Sequence, residues 1–318
     1  MEKILVLTPV YNDWQSFSQL LRLLDTEAVI PGVQIIVLAV NDGSSESIQK
    51  DQIGENYQNI QKIEILNLSR NLGHQRAIAI ALPYVEQNYP EIPVVVMDSD
   101  GEDQPSDIPR LIQNMAKTQK LTFALRSKRS EGLLFRVGYF FYRHLFKNFV
   151  GQEIQFGNFS AIPYSALRRL VSVSEIWNNF PAGVLKSRLP YSWTETQRGQ
   201  RLAGKSQMNL VSLVLHGLSS ISVFSDYIGV RSLFSLGFAM LGSFFLIAIV
   251  VGIRLFTDMA LPGWSSMVGL VLLLILIQTF SLAISFIFQV LNTRSAVNFI
   301  PKRDYTFFVD YAETPYEK

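Results

Sequence analysis

The densest chemistry in this 318-residue chain is acidic: residues 97–105 read MDSDGEDQP, and Glu86 to Asp107 holds seven acids with no Lys or Arg. Oxygen-only side chains at Asp98, Asp100 and Glu102 suit a hard divalent cation, Mg²⁺ or Mn²⁺, that bridges to substrate phosphates instead of sitting in an all-protein cage. The competing reading is a solvated acidic turn that caps the next helix, which Asp103 and Asp107 fit better than Asp98 and Asp100 do. Basic residues gather further on. Arg126 to Lys147 contains six Lys/Arg (Arg126, Lys128, Arg129, Arg136, Arg143, Lys147) against Glu131, and Lys186 to Lys205 contains five against one acid. Aromatics Phe135, Tyr139, Phe140, Phe141, Tyr142, Phe146 and Phe149 interleave the first stretch. Such a surface serves either a nucleic-acid stacking groove or a face lying on anionic lipid.

Several chemistries are excluded. With no cysteine, the chain has no disulfide scaffold, no Cys-ligated zinc, no iron–sulfur cluster and no thiol nucleophile. Its three histidines, His74, His144 and His216, are too widely spaced to predict a His-rich metal site. A net charge of +2 gives no argument for nucleic acid. No G-x-G-x-x-G follows a strand and no G-x-x-x-x-G-K-[ST] occurs, which disfavours dinucleotide and P-loop sites.

The elements that must position these residues alternate. Strands are expected over Ile4–Thr8, Ile35–Val40, Ile63–Asn67, Val94–Met97 and Thr122–Leu125. Helices are expected over Trp14–Asp25, Ser45–Glu55, Gln75–Glu86 and Asp107–Thr118, the last opened by an acidic N-cap. The alternation predicts an α/β domain with a mostly parallel sheet. On such sheets ligands sit outside the carboxyl ends of the strands. The residues there are Pro9–Asp13, Asn41–Ser45, Ser69–His74 and Asp98–Asp103.

A mean hydropathy of +0.21 averages two solvents. Residues 232–253 carry no charge, nor do 259–293; within them 233–256 and 267–291 are long apolar runs. Each is long enough to cross about 30 Å of hydrocarbon at about 1.5 Å per residue. Buried core helices are the alternative, but these seldom run past about 15 residues without a polar face. Arg231 before the pair and Arg294, Lys302 and Arg303 after it predict cytoplasmic termini and a short external loop, with Arg254 snorkelling beside Trp264. The N-terminal MEKILVLTPVYN predicts no cleavable signal. Leu210, Val211, Val214, Leu215, Leu218 and Ile221 form an apolar stripe ahead of the first span, and TFFVDY in the tail suggests a β segment packing on its own domain or on a neighbour. The expected organisation is a catalytic domain over residues 1–205, amphipathic juxtamembrane helices over 206–231, two spans over 232–292 and a tail over 293–318.

Taken in order, PVYND, NDGSS, SRNLGHQRA, MDSDGEDQP, QFGNFSAIP, RLAGKS and the two spans resemble glycosyltransferase family 2, specifically its polyprenyl-phosphate glycosyltransferases of the dolichol-phosphate mannose synthase and bactoprenol glucosyltransferase types. The resemblance covers nearly the whole chain. It implies a GT-A type nucleotide-sugar domain with two C-terminal transmembrane helices in the cytoplasmic membrane. It also implies inverting transfer of a hexose, glucose from UDP-glucose by preference and mannose from GDP-mannose as the alternative, to polyprenyl phosphate. By position it assigns Pro9, Tyr11, Asp13, Asp42, Asn71, Gly73 and Asp98 to the nucleotide sugar, and Asp100 and Glu102 to Mg²⁺ or Mn²⁺. Arg126, Arg129, Arg201 and Lys205 fall to the lipid or donor phosphates, and Asp98, Asp100, Arg126, Asn158 and Arg201 to catalysis. Many relatives carry Asp where this chain has Asn158, and lysines that often follow R-x-A-G-x-S are replaced by Gln207 and Met208. The membrane and the two substrates are the expected partners, without nucleic acid. Self-association, a downstream flippase and a further glycosyltransferase complete the expectation. A catalytically silent nucleotide-sugar-binding membrane protein is the alternative from another class.

Overall fold

The computed structural model describes residues 1–49, 52–126, 156–204, 210–257, 263–295 and 299–318. Arg129 and Lys205 lie outside the described residues, as does the basic-aromatic stretch beyond Arg126. The chain divides into two units, one of residues 1–142, 154–223 and 298–318, the other of 143–153 and 224–297.

Among the described residues, the first unit is built on one eight-stranded sheet. Its strands are β1 (Lys3–Val10), β2 (Gln34–Asn41), β3 (Ile60–Leu68), β4 (Val94–Val96), β5 (Leu121–Arg126), β6 (Ser160–Ile162), β7 (Tyr191–Thr196) and β8 (Val309–Glu317), in the order β7-β5-β6-β4-β1-β2-β3-β8. β1 pairs parallel with β2 and β4, β2 with β3, and β5 with β7; β6 runs antiparallel between β4 and β5, and β8 antiparallel along β3. The sheet is therefore mixed and mostly parallel, as the α/β alternation predicts.

Near-continuous apolar strands mark a sheet covered on both faces. Leu5 and Leu7 pack on one side with α2 (His74–Asn88), through Ala77, Ile78, Ala81 and Leu82. Ile4 and Val6 turn to the other side, against α1 (Trp14–Glu27) and α3 (Ile108–Thr118), through Phe17, Leu21, Leu111 and Ile112. α4 (Tyr164–Leu170) and α5 (Phe180–Lys186) join the α2 side, and α6 (Leu210–Ser222) ends this part of the chain.

Two local expectations fail. Among the described residues of 45–55 there is no α-helix. Ser45 is tied to Asn12 by both its N–H and its hydroxyl, at 2.9 and 3.1 Å, and Gly54 donates to the Tyr57 hydroxyl, so these residues serve loop contacts. Asp107 precedes α3 but makes no side-chain cap bond; its carboxylate pairs with Arg110 instead.

The second unit consists, in its described residues, of α7 (Ser225–Phe256) and α8 (Trp264–Ser295). Both are long and apolar enough to cross a membrane, with only 11% and 6% of their most apolar windows buried. A soluble core helix would be mostly covered. Gly229 marks their close approach, since a Cβ there would stand 2.6 Å from Val290 Cγ2.

Candidate active site

Topology alone gathers the candidate residues. β1, β2, β3, β4, β5 and β7 all point the same way, so the segments after them leave one edge of the sheet. β6 runs oppositely, so the residues before it, including Asn158, reach that same edge. Arg126 is the last residue of β5.

The acidic turn after β4 is tightly tied. Asp98 N–H donates to Asp103 Oδ2 at 3.0 Å, and Glu102 N–H donates to Asp100 Oδ1 at 3.0 Å. Gly101 sits at φ +83°, the left-handed region that favours glycine. The segment after β7 lies across this turn: Gly199 N–H donates to the Glu102 carbonyl and Leu202 N–H to the Asp100 carbonyl, both at 2.9 Å. A Cβ on Gly101 would meet Leu202 Cγ at 2.3 Å, and one on Gly199 would meet the Gly101 carbonyl at 2.4 Å.

Two arginines from that segment engage the acids. Arg201 places Nη1 3.1 Å from Asp100 Oδ2 and Nη2 2.8 Å from Asp13 Oδ2, while its Nε bonds the Ala203 carbonyl at 3.0 Å. Arg198 Nε lies 3.1 Å from Glu102 Oε2. Burial raises the Asp100 carboxyl above the usual range, an effect that the Glu102 N–H and Arg201 oppose.

The nucleoside candidates occupy the turns beside these. Pro9 is buried in β1, Tyr11 is exposed, and Asp13 is half-buried, its Oδ1 accepting from Ser16 Oγ at 2.6 Å. Asp42 is buried and bridges two turns, accepting the Leu72 and Gly73 N–H groups at 2.7 and 2.8 Å. Burial pushes its carboxyl up to about 6 against those two bonds and the charge of Arg76. Asp42 thus shapes the loop that carries exposed Asn71 and Gly73, the latter at φ +89°. Gly43 has no room for a side chain, because a Cβ would stand 2.5 Å from Asn71 N.

A buried polar chain runs behind Asp98. Asn158 Nδ2 lies 3.4 Å from Asp98 Oδ1, Gln75 Nε2 donates to Asn158 Oδ1 at 2.8 Å, and Phe180 N–H donates to Gln75 Oε1 at 2.6 Å. The sequence reading gave no role to Gln75 or Arg198. Gln75 lies in the first turn of a helix that Gly73 precedes, a position that sequence alone leaves exposed or buried with equal ease.

The structure therefore brings together Asp13, Asp98, Asp100, Glu102, Asn158 and Arg201, with Asp42, Asn71 and Gly73 on the neighbouring turns. Among the described residues no three His, Cys, Asp or Glu side chains converge as a metal cage. Asp100 and Glu102 carry oxygen donors of the kind that a hard cation shared with phosphate oxygens takes, so their chemistry fits Mg²⁺ or Mn²⁺, although here Asp100 pairs with Arg201 and Glu102 with Arg198.

Known proteins resemble this chain in sequence. A family model described as Glycosyl transferase family 2 matches residues 5–177. A Bacillus subtilis (strain 168) protein, the uncharacterized glycosyltransferase YkcC, is 28% identical over 279 residues, 84% of this chain and 82% of that protein. The undecaprenyl-phosphate 4-deoxy-4-formamido-L-arabinose transferase of Klebsiella pneumoniae (strain 342) is 26% identical over 133 residues, which are 42% of this chain and only 39% of that enzyme. Among solved structures, glucosyl-3-phosphoglycerate synthase from Mycobacterium tuberculosis in complex with UDP aligns with a TM-score of 0.48 at 13% identity, covering 72% of this chain and 80% of that one.

Proposed function

The chain belongs to glycosyl transferase family 2, and on that premise we propose that it is a membrane enzyme that transfers glucose from UDP-glucose to polyprenyl phosphate with inversion. The observation that carries the reading is the meeting of Asp13, Asp100 and Arg201 at the carboxyl edge of the sheet, in a chain that also bears two bilayer-length apolar helices. The likeness to an undecaprenyl-phosphate sugar transferase supports the acceptor class.

The chemistry asks little of a general base. The second pKa of a phosphate monoester is about 6, so near neutral pH the acceptor is already mostly a nucleophilic dianion. Asn158 cannot take a proton, and the reaction as proposed does not require it to. The harder demands are an oxocarbenium-like sugar and a departing diphosphate. Mg²⁺ or Mn²⁺ held by Asp100 and Glu102 would supply Lewis-acid stabilisation to the leaving oxygens. Arg201 supplies a planar fork suited to phosphate, and with Arg126, Arg129 and Lys205 it would hold two mutually repelling anions at reacting distance. Asp98 would orient the donor sugar or ribose. Asp42, through Leu72 and Gly73, would shape the nucleoside site beside Pro9, Tyr11, Asp13 and Asn71. The apolar helices would keep the cleft at the cytoplasmic surface of the membrane, where the acceptor headgroup emerges.

The test is a panel of nucleotide sugars offered to the full chain in detergent, with polyprenyl phosphate and Mg²⁺ or Mn²⁺, and product mass as readout. A hexosyl-phosphate lipid formed from UDP-glucose is the expected result. Formation only from GDP-mannose overturns the donor, and no lipid product from any donor overturns the acceptor.

A further inference from the structure

Gln75 is buried in the first turn of α2; it falls within SRNLGHQRA, but the resemblance assigns it no role. Both of its N–H donors and one of the two lone pairs on its carbonyl oxygen are used. Its carbonyl accepts the Phe180 N–H at 2.6 Å, and its amide nitrogen meets Asn158 Oδ1 at 2.8 Å and His74 Nε2 at 3.0 Å. The contact with Phe180 has fixed polarity, because a backbone N–H can only donate. Gln75 must therefore turn its oxygen toward Phe180 and its NH₂ toward Asn158. That NH₂ needs an acceptor, so Asn158 presents Oδ1 to Gln75 and its own NH₂ to Asp98, 3.4 Å away. Burial lowers the His74 pKa, which keeps the ring neutral and able to accept. The polarity of the chain runs from a main-chain donor to a carboxylate without a conflict at any joint.

From this we infer that Gln75 is a positioning residue of the transfer reaction, fixing the Asn158 side-chain amide so that it offers a donor, never an acceptor, to Asp98 beside the donor sugar. The inference rests on the functional reading above and deepens it. Two amides in series carry the orientation from α5 to the acidic turn, and both are buried, where a mismatched donor or acceptor is costly. It also gives a physical role to an Asn at this position: an Asp there would face the Asp98 carboxylate directly, whereas the amide gives Asp98 a neutral donor.

The test reverses one joint. In Gln75→Glu the ionised carboxylate still accepts from Phe180 but cannot donate to Asn158, so the Asn158 amide must turn and set its oxygen against Asp98. Protonation of the introduced carboxylate restores a donor. The ratio of kcat for Gln75→Glu to kcat for the wild type should therefore rise as pH falls, by about tenfold or more between the two plateaus, with the donor KM little changed. His74 and Asp98 are the ionisable groups bonded to this pair, and taking the ratio to wild type removes only the pH dependence that the two proteins share. Gln75→Leu should lose about tenfold in kcat at every pH. Adding Asn158→Leu to it should cost little more, because both act through one contact to Asp98. A pH-independent ratio for Gln75→Glu in a variant with native melting temperature, or additive losses in the double variant, overturns the inference. If Gln75→Leu does not fold, the Gln75→Glu profile decides alone. Should the wild type transfer nothing to polyprenyl phosphate, the acceptor assignment fails, and the same ratio is read from nucleotide release with the sugar donor alone.

Discussion

Arg201 and Asp100 lie 101 residues apart in the chain, yet Arg201 Nη1 stands 3.1 Å from Asp100 Oδ2. The second amino group of the same guanidinium reaches Asp13 at 2.8 Å, so one planar fork spans the ends of two strands. A lysine cannot reproduce this, because its single ammonium has no fixed pair of donors. Arg201→Lys should therefore lose nearly as much as Arg201→Ala, with kcat/KM down about tenfold or more in each. Steady-state kinetics over donor concentration checks this. Full activity in Arg201→Lys would show that neither the paired donors nor the bridge to Asp13 and Asp100 is needed for transfer.

Asp100 and Asn158 approach the same chemistry with different weight. Asp100 is assigned to the metal and the leaving diphosphate, and Asn158 only orients. Asp100→Ala should nearly abolish turnover, whereas Asn158→Ala should lower it modestly, by about tenfold at most. Single-turnover product formation with radiolabelled donor separates the two. Equal and small losses would sink the assignment of the acidic turn.

Much of this edge was legible beforehand, for a reason that residues 4–8, 35–40 and 94–97 make plain. Parallel strands buried on both faces read as unbroken apolar runs, and ligand residues follow their carboxyl ends. What escaped depends on partners distant in sequence. Arg198 and Gln75 acquire their contacts through crossovers of 96 and 105 residues, to Glu102 and to Phe180. The helix expected over 45–55 lost to side-chain bonds from Asn12 that no local pattern encodes. The tail's β segment was foreseen only in part, since residues 309–311 of TFFVDY open β8 while Tyr305–Phe307 form a 3-10 turn; its partner β3 was not foreseen, since an edge pairing leaves no periodicity of its own.

Asp42 links pH to both stability and binding, with opposite signs. Its folded pKa is raised to about 6 from 3.8, burial being the main cause. The sign for stability follows from proton uptake: this contribution is fully present below the unfolded value and is lost as pH rises through about 6. Binding moves the other way. The ionised carboxylate is the better acceptor for the Leu72 and Gly73 N–H groups of the loop proposed to hold the nucleoside. Nucleotide affinity should fall several-fold as pH drops through about 6 in the wild type and stay flatter in Asp42→Asn. Calorimetric titration across this range measures it, and equal slopes for the two proteins would refute the link.

The tail changes how the role of the two apolar helices must be tested. β8 pairs with β3 from Lys62↔Glu317 to Leu68↔Val309, and Tyr316 packs edge-on against Tyr57 with ring centroids 5.1 Å apart. Removing everything after Ser225, the simplest truncation, would strip β8 from the sheet and expose the backbone of β3, confounding a folding defect with a membrane defect. Replacing residues 224–297 by a flexible linker keeps the strand. That form should bind nucleotide as the full chain does, yet transfer to long-chain polyprenyl phosphate should fall about tenfold or more, because the acceptor is no longer concentrated at the cleft. Deleting residues 309–318 alone should instead lower the melting temperature by about 5 °C or more while leaving the apolar helices in place. Undiminished transfer to the long-chain lipid by the linker form in detergent would mean that the helices anchor the enzyme without helping it reach its acceptor.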